Sequence, residues 1–395
     1  MRNVFLFAFS CFNTFLSAQN WVKKTPFLGQ ERDDAIGFSI NGIGYVGTGV
    51  SPGTLFNNDF YAYDPNGDTW SSIANILGSP RQYCSSFVCN GKGYIVTGIL
   101  DDWTYTNEMQ AYDPILNSWK IVAPLPASPR YSTCSFSIGN KGYVFGGRDQ
   151  TTSFNDLWAY YSGTNTWVQK ATLPGETRYE AIGFSIEGFG YIGLGKDING
   201  NALNDLWKYF PLTDTWKKMA DFPGNITTYT ISFSYGRYAF VCTGMDANDN
   251  IINEFWVYDA LLDLWQQLPQ PEFNMIRGAS AFTVNNCAYV TTGKDENNVR
   301  LANTWNYCMV KLDELDVTIY PNPAHNFIRV DLINGRYNGY FLVYNLLGQE
   351  IMRKPFSSDV FSYDLPLLHF NSGIYILKII TEEGGILYTS KFIKK

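Results

Sequence analysis

Apolar and polar positions alternate along most of this chain in runs of about five residues, broken at near-regular intervals by Gly, Asn and Asp. The stretch from Cys134 shows the unit: CSFSI alternates, GNKG turns the chain into YVFGG, and after a variable loop DLWAYY turns through SGTN into TWVQK. Period-two alternation bounded by turn residues is hairpin patterning, and four such runs make one small antiparallel sheet. The unit recurs. Trp21, Trp70, Trp119, Trp167, Trp216 and Trp265 are separated by steps of 49, 49, 48, 49 and 49. Tyr63, Tyr112, Tyr160, Tyr209 and Tyr258 stand seven residues before five of them, and Tyr307 continues the series without its Trp. Phe38, Phe87, Phe136, Phe184, Phe233 and Phe282 keep the same step, as do Gly49, Gly98, Gly147, Gly195, Gly244 and Gly293.

Four strands in a repeat of this length predict the blade of a β-propeller, a sheet that buries both faces against its neighbours. The Trp series fits apolar plates between blades, and the Gly series fits strands crowded near the axis. The ends complement each other: Trp21 is a fourth-strand Trp with no sheet before it, and the last unit, Arg277 to Tyr307, lacks a fourth strand. The N-terminal strand is therefore expected to complete the last of six blades and remove an open edge. The apolar run, the Gly doublet and the Tyr and Trp at fixed spacing resemble the Kelch family, over roughly 19–310. Only Gly146 and Gly147 keep the doublet; its first position is otherwise Thr48, Thr97, Leu194, Thr243 or Thr292. That departure leaves the fold expectation standing and limits what function the resemblance carries.

The period stops after Val310. KLDELD, 311–316, reads as a linker, and the rest of the chain, 317–395, reads as short strands with Pro, Asn and Gly turns, a small Ig-like β-sandwich. Within it YPNP, YNLLGQ and SGIYILKI resemble the sorting domain of the type IX secretion system of Bacteroidota. The resemblance implies recognition of 317–395 by the secretion machinery, removal of the tail, and release or attachment at the cell surface after passage through the periplasm. The N-terminus agrees: Arg2, an apolar core from Val4 to Leu16, and small residues at Ser17 and Ala18 read as a signal peptide over 1–18. Asn13 and Thr14 interrupt that core, which falls short of the roughly 20 apolar residues of a membrane span. No later stretch reads as a transmembrane segment.

Composition narrows the function classes. Aromatic residues make up 17% and charged residues 16%, with 35 Gly, which suits strands and tight turns. A net charge of -7 without a basic run argues against nucleic acid. Cys84, Cys89, Cys134, Cys242, Cys287 and Cys308 permit disulfides in an exported chain, but their irregular spacing within apolar runs also fits buried thiols. The two histidines, His325 and His369, both lie in the tail. A propeller without His excludes the copper site that some Kelch oxidases carry and any His-activated nucleophile. DINGN, 197–201, lacks the distant Glu of a calcium loop, and neither a metal nor a cofactor is expected.

Positions that break the repeat are where a ligand is expected, because positions filled alike in every unit serve the unit. Arg32, Arg81, Arg130, Arg178 and Arg277 open first strands, with Thr227 replacing the sixth. Asp59, Glu108, Asp156, Asp205 and Glu254 open third strands, with Asn303 as the exception. Both openings share one face, roughly 9.5 Å apart, within reach of an Arg, especially towards the next blade. The favoured reading is structural pairing; the functional one is a ring of cations around the channel mouth. Beside them vary Asp33, Asp34, Tyr83, Tyr131, Tyr179, Glu180 and Tyr229, a mixture that suits a sugar or a peptide. The second blade also offers Asp101, Asp102, Trp103 and Tyr105 on a rim loop, a carbohydrate platform or a Trp folded against its neighbour. The reading is a binding module for extracellular glycan or protein. The alternative is a sugar mutarotase or epimerase, chemistry known on some six-bladed Kelch propellers, with Glu180 beside Arg178 as its acid/base. An enzyme requires a buried carboxyl with a raised pKa at the mouth, a simple binder does not, and a structural component requires fully paired Arg and acid series.

Overall fold

The computed structural model describes residues 20–274, 276–309, 316–333, 338–382 and 386–395. The expected signal peptide, and the expected linker except Asp316, lie outside them. The chain divides after Met309 into two compact units, and every regular element among the described residues is a β-strand.

The first unit contains six four-stranded antiparallel sheets. In the first, Ile36–Ile40, Ile43–Gly47, Phe60–Asp64 and Thr69–Ile73 lie side by side in chain order. The next four sheets repeat that order. In the sixth, Ser280–Val284, Cys287–Thr291 and Thr304–Cys308 are joined by Val22–Lys24, which pairs with Thr304–Cys308 through Val22↔Asn306 and Lys24↔Thr304. Cys287 and Cys308, opposite each other in that sheet, form a disulfide. Cys84, Cys89, Cys134 and Cys242 are buried free thiols.

Aromatic side chains join sheet to sheet. The Phe of each first strand stacks on a ring of its own second strand, as Phe38 does on Tyr45 and Phe282 on Tyr289. For Phe38, Phe87, Phe136 and Phe282 the far face covers a Gly in the next sheet. A Cβ at Gly93 would stand 2.2 Å from the Phe38 ring, and one at Gly44 2.1 Å from Phe282, so only Gly admits the ring. The repeating Trp does more than fill space. Trp70, Trp119, Trp167, Trp216 and Trp265 each donate the indole N–H to a carbonyl beyond the preceding sheet's outer strand, from Thr25 to Ala220, at 2.8–3.1 Å. Trp21 is buried against Phe255, Phe273 and Tyr307, but its indole N–H is unpaired.

The second unit is a two-sheet sandwich. Asp316–Tyr320, Phe327–Ile333 and Ser362–Pro366 form one sheet. Gly339–Tyr344, Glu350–Phe356, Gly373–Thr381 and Ile386–Lys394 form the other. Ile328, Val330, Phe341, Val343, Leu365, Leu377 and Phe392 fill the core between them. Among the described residues no helix is long and apolar enough to cross a membrane.

Candidate ligand site at the axial mouth

The Arg series does not line an open rim. Arg32, Arg81, Arg130 and Arg178 are at most 2% exposed, and each pairs with a carboxylate of its own sheet rather than the next. Arg32 meets Asp59 at 2.5 Å, Arg130 meets Asp156 at 2.6 Å and Arg178 meets Asp205 at 2.6 Å. The same guanidiniums donate to the carbonyls of Thr48, Gly146 and Leu194, the first position of the Gly doublet. Those residues have φ of 60°, 62° and 57°, so each Arg ties down a left-handed backbone turn. Arg81 binds Glu108 at 2.5 Å. These four are held by the fold and offer no cation ring.

Arg277 belongs to a different series. Counted back from the Phe positions it stands five residues away, whereas the other four arginines stand six away; the sixth-sheet equivalent is Ile276. There the acid is lost too, replaced by Asn303, and a small cavity lined by Phe273, Ile276, Leu301, Asn303 and Trp305 occupies the place. In the fifth sheet, where Thr227 replaces the Arg, Glu254 instead accepts from Asn225 and the Trp256 indole.

Four residues before each Phe lies the innermost position of each sheet: Asp34, Tyr83, Ser132, Glu180, Tyr229 and Gly278. All six are left-handed, with φ between 52° and 59°. They link through the backbone, with the N–H of Asp34 donating to Gly278, Ser132 to Tyr83, Glu180 to Ser132 and Gly278 to Tyr229. Two of their side chains meet. Tyr83 and Tyr229, from the second and fifth sheets, bring their hydroxyls to 3.4 Å. Tyr83 stands close enough to Asp34, and Tyr229 to Glu180, for each phenol to favour the ionised form of the neighbouring carboxyl. Gly278 makes room: a Cβ there would stand 2.5 Å from Asp34 Oδ1.

A second shell of side chains surrounds this ring. Tyr131 packs against Tyr83 and Tyr105, with centroids 6.0 and 5.0 Å away. The Arg148 guanidinium lies over Tyr179 at 4.6 Å and Tyr131 at 5.9 Å. Arg277 lies over Tyr229 at 4.7 Å and reaches Asp33 at 3.3 Å, with Arg300 on the other oxygen of Asp33 at 2.6 Å. Lys196 is bound to Asp249 at 2.5 Å. Burial, helped by the Asp33 charge, pushes the Asp34 carboxyl up to about 8. Burial likewise raises Glu180 to about 7. Glu180 is nevertheless partly exposed, as a group lining a narrow mouth should be. Burial also raises the Tyr83 and Tyr229 phenols, which stay neutral donors.

Of the residues expected from the sequence, Tyr83, Tyr131, Tyr179, Glu180, Arg277 and Tyr105 come together here. Asp101, Asp102 and Trp103 form an exposed turn in which Asp102 accepts from Thr104. Trp103 meets Phe56 edge-on at 5.2 Å yet stays 60% exposed. Arg148 escaped the sequence reading because Arg followed by Asp reads there as a turn.

Residues 318–395 match the family model of the secretion system C-terminal sorting domain, and residues 129–174 match that of the Kelch motif. The chain is a Kelch-repeat protein with a type IX sorting tail. The sorting tail supports secretion or attachment at the cell surface. No curated protein matches this Kelch protein significantly. Among solved structures, that of YjhT is similar, with a TM-score of 0.62 at 14% identity over 71% of this chain and 95% of that one. The likeness establishes a Kelch-like propeller fold for the repeats and nothing further.

Proposed function

We propose that the Kelch unit is a six-bladed propeller, closed by Val22–Lys24 on the last blade, that binds a hydroxyl-rich extracellular ligand, glycan or protein segment, at its axial mouth. The pairing of that strand with Thr304–Cys308 and the seating of Phe282 over Gly44 support the closure. The signal peptide would carry the chain to the periplasm and the tail would hand it to the secretion machinery. The observation that carries the ligand site is the convergence of Tyr83, Tyr131, Tyr179 and Tyr229 with Arg148, whose guanidinium forms no ion pair among the described residues. Aromatic faces beside fixed donors suit sugar rings and peptides alike.

One observation favours the sugar-isomerising reading over a simple binder: Glu180 and Asp34 carry carboxyls raised into the range where a group gives and takes protons near neutrality. Arg178, committed to Asp205, cannot be the partner; Tyr229 stands beside Glu180 instead. The test is a screen of the full chain against glycans and acidic peptides, with Tyr131→Ala and Arg148→Ala. Saturable binding lost in both variants supports the site, and binding indifferent to both removes it. Sugar anomers that interconvert faster with protein than in buffer, and not with Glu180→Gln, mark an enzyme.

A further inference from the structure

The loops between second and third strands close on a common turn. In five sheets the residue after the repeating Gly pairs with one six positions on: Val50 with Phe56, Ile99 with Tyr105, Lys196 with Ala202, Met245 with Ile251, and Lys294 with Arg300. The tip of that turn, four residues after the first of each pair, is left-handed throughout, with φ of 62° to 82°. Four of the tips are Thr54, Gly200, Asp249 and Asn298, all small or polar. In the second sheet the tip is Trp103. A bulky ring is out of place on such a backbone, and burial does not compensate it, since Trp103 stays 60% exposed. Its surroundings are aromatic. Phe56 and Tyr105 share one position of the repeat, which elsewhere is Ser153, Ala202, Ile251 or Arg300. Trp103 meets Phe56 at 5.2 Å and 71°, a contact that covers at most one face of the indole. Tyr105, two residues along, meets Tyr131 at 5.0 Å, and Tyr131 meets Tyr83 at 6.0 Å. Aromatic rings therefore lead from an exposed loop to the mouth.

We propose that Trp103 is an outer subsite for a neutral polysaccharide, whose chain lies along these rings towards the mouth. Only the inner end of that chain rests on the axial mouth being the ligand seat. A sugar ring presents a C–H face that stacks on an indole, and hydroxyls around its edge that donate to carboxylates. Trp103 offers the first through its open face. Asp101 and Asp102, exposed beside it, offer the second. Asp102 spends Oδ1 on the backbone N–H and hydroxyl of Thr104, which fixes the turn, and keeps Oδ2 for a ligand. Two carboxylates at the tip repel an acidic sugar and leave a neutral one as the fit. A peptide would need pockets for its side chains, whereas the tip of a turn offers one flat face. The rings come from different sheets, Phe56 from the first, Trp103 and Tyr105 from the second and Tyr131 from the third, so a ligand that uses them has several units.

The test is native electrophoresis of the full chain through gels containing galactomannan, mixed-linkage β-glucan or arabinoxylan, all soluble and neutral. Leu116→Ala, at an exposed turn between third and fourth strands, is the control. Retardation in at least one gel is expected, with affinity weakened about tenfold by Trp103→Ala and unchanged by Leu116→Ala. Trp103→Gly places at the tip the residue that the fourth sheet carries there. It should lose the same retardation while the melting temperature stays level or rises, so unfolding cannot imitate the result. The two readings fail separately. Retardation lost in Trp103→Ala but kept in Tyr131→Ala supports the outer subsite and removes the mouth. Retardation lost in Tyr131→Ala alone supports the mouth and overturns the outer subsite. No retardation in any gel, or binding to acidic peptides alone, also overturns it.

Discussion

Two series of residues, two positions apart in each repeat, show how one scaffold treats charge in opposite ways. Arg32, Arg130 and Arg178 are buried, meet a carboxylate of their own sheet and cap a backbone carbonyl. The innermost ring, from Asp34 to Gly278, differs in side chain at almost every sheet, and its carboxyls lack a close cation of their own: Arg277 stands 3.9 Å from Asp34 and is shared with Asp33. The outer series satisfies itself and is repeated; the inner one leaves proton sites open and is not. Where a propeller repeats itself its chemistry is spent on holding sheets, and where it varies the chemistry is free for a ligand.

The comparison breaks most visibly on removing a paired cation. Arg178→Ala leaves Asp205 and the Leu194 carbonyl without their partner and is expected to cost about 3 kcal/mol in chemical denaturation. A loss within about 0.5 kcal/mol, the level of an ordinary surface change, would remove the structural role. Gly278→Ala forces a left-handed Cβ against Asp34 and should cost about 1–2 kcal/mol while weakening any ligand of the mouth. If stability falls but binding does not, Asp34 lies outside the site.

The two series should also answer pH with opposite signs. Asp34 and Glu180 have folded values of about 8 and 7, raised above their ordinary 3.8 and 4.5. Their contribution is fully present below about pH 4 and drains away as pH rises through 7 to 8. Burial alone would raise Asp59 and Asp205 too, but hydrogen bonds and charge from Arg32 and Arg178 bring both below 3.8. Their contribution is present above that value and lost as pH falls through the lowered one. Asp34→Asn should therefore flatten the fall in stability between about pH 4 and 8 and leave the limb below pH 4 unchanged. Loss of the acid limb instead would mean that the two series are coupled. The smallest effect on stability belongs to Arg148→Ala, expected within about 0.5 kcal/mol of the parent, with ligand binding down tenfold or more. Binding that survives would return Arg148 to a packing role over Tyr131 and Tyr179.

Most of the strand pattern was legible because a repeat multiplies its own signal. Phe, Gly, Tyr and Trp recur at one step, so each position of the sheet was read six times over. The candidate site was legible only in part. Tyr83, Tyr131, Tyr179 and Glu180 stood out as departures from the repeat, but Arg277 was placed one residue out of register with the other arginines. Counting back from Phe282 would have shown Ile276 at the Arg position and set Arg277 beside Asp33 and Tyr131. Arg148 carried no such signal, since its neighbour Asp149 makes an ordinary turn.

By itself the sequence determined the period, the strands and their turns, and the sorting tail, because each depends on residues close in the chain or repeated along it. Only the tertiary structure decided which charges are spent and which are left open. A guanidinium and a carboxylate some 27 residues apart either meet or do not, according to how the strands between them pair. The contact of Tyr83 with Tyr229 spans 146 residues and exists only because two sheets bring the same position of the repeat together.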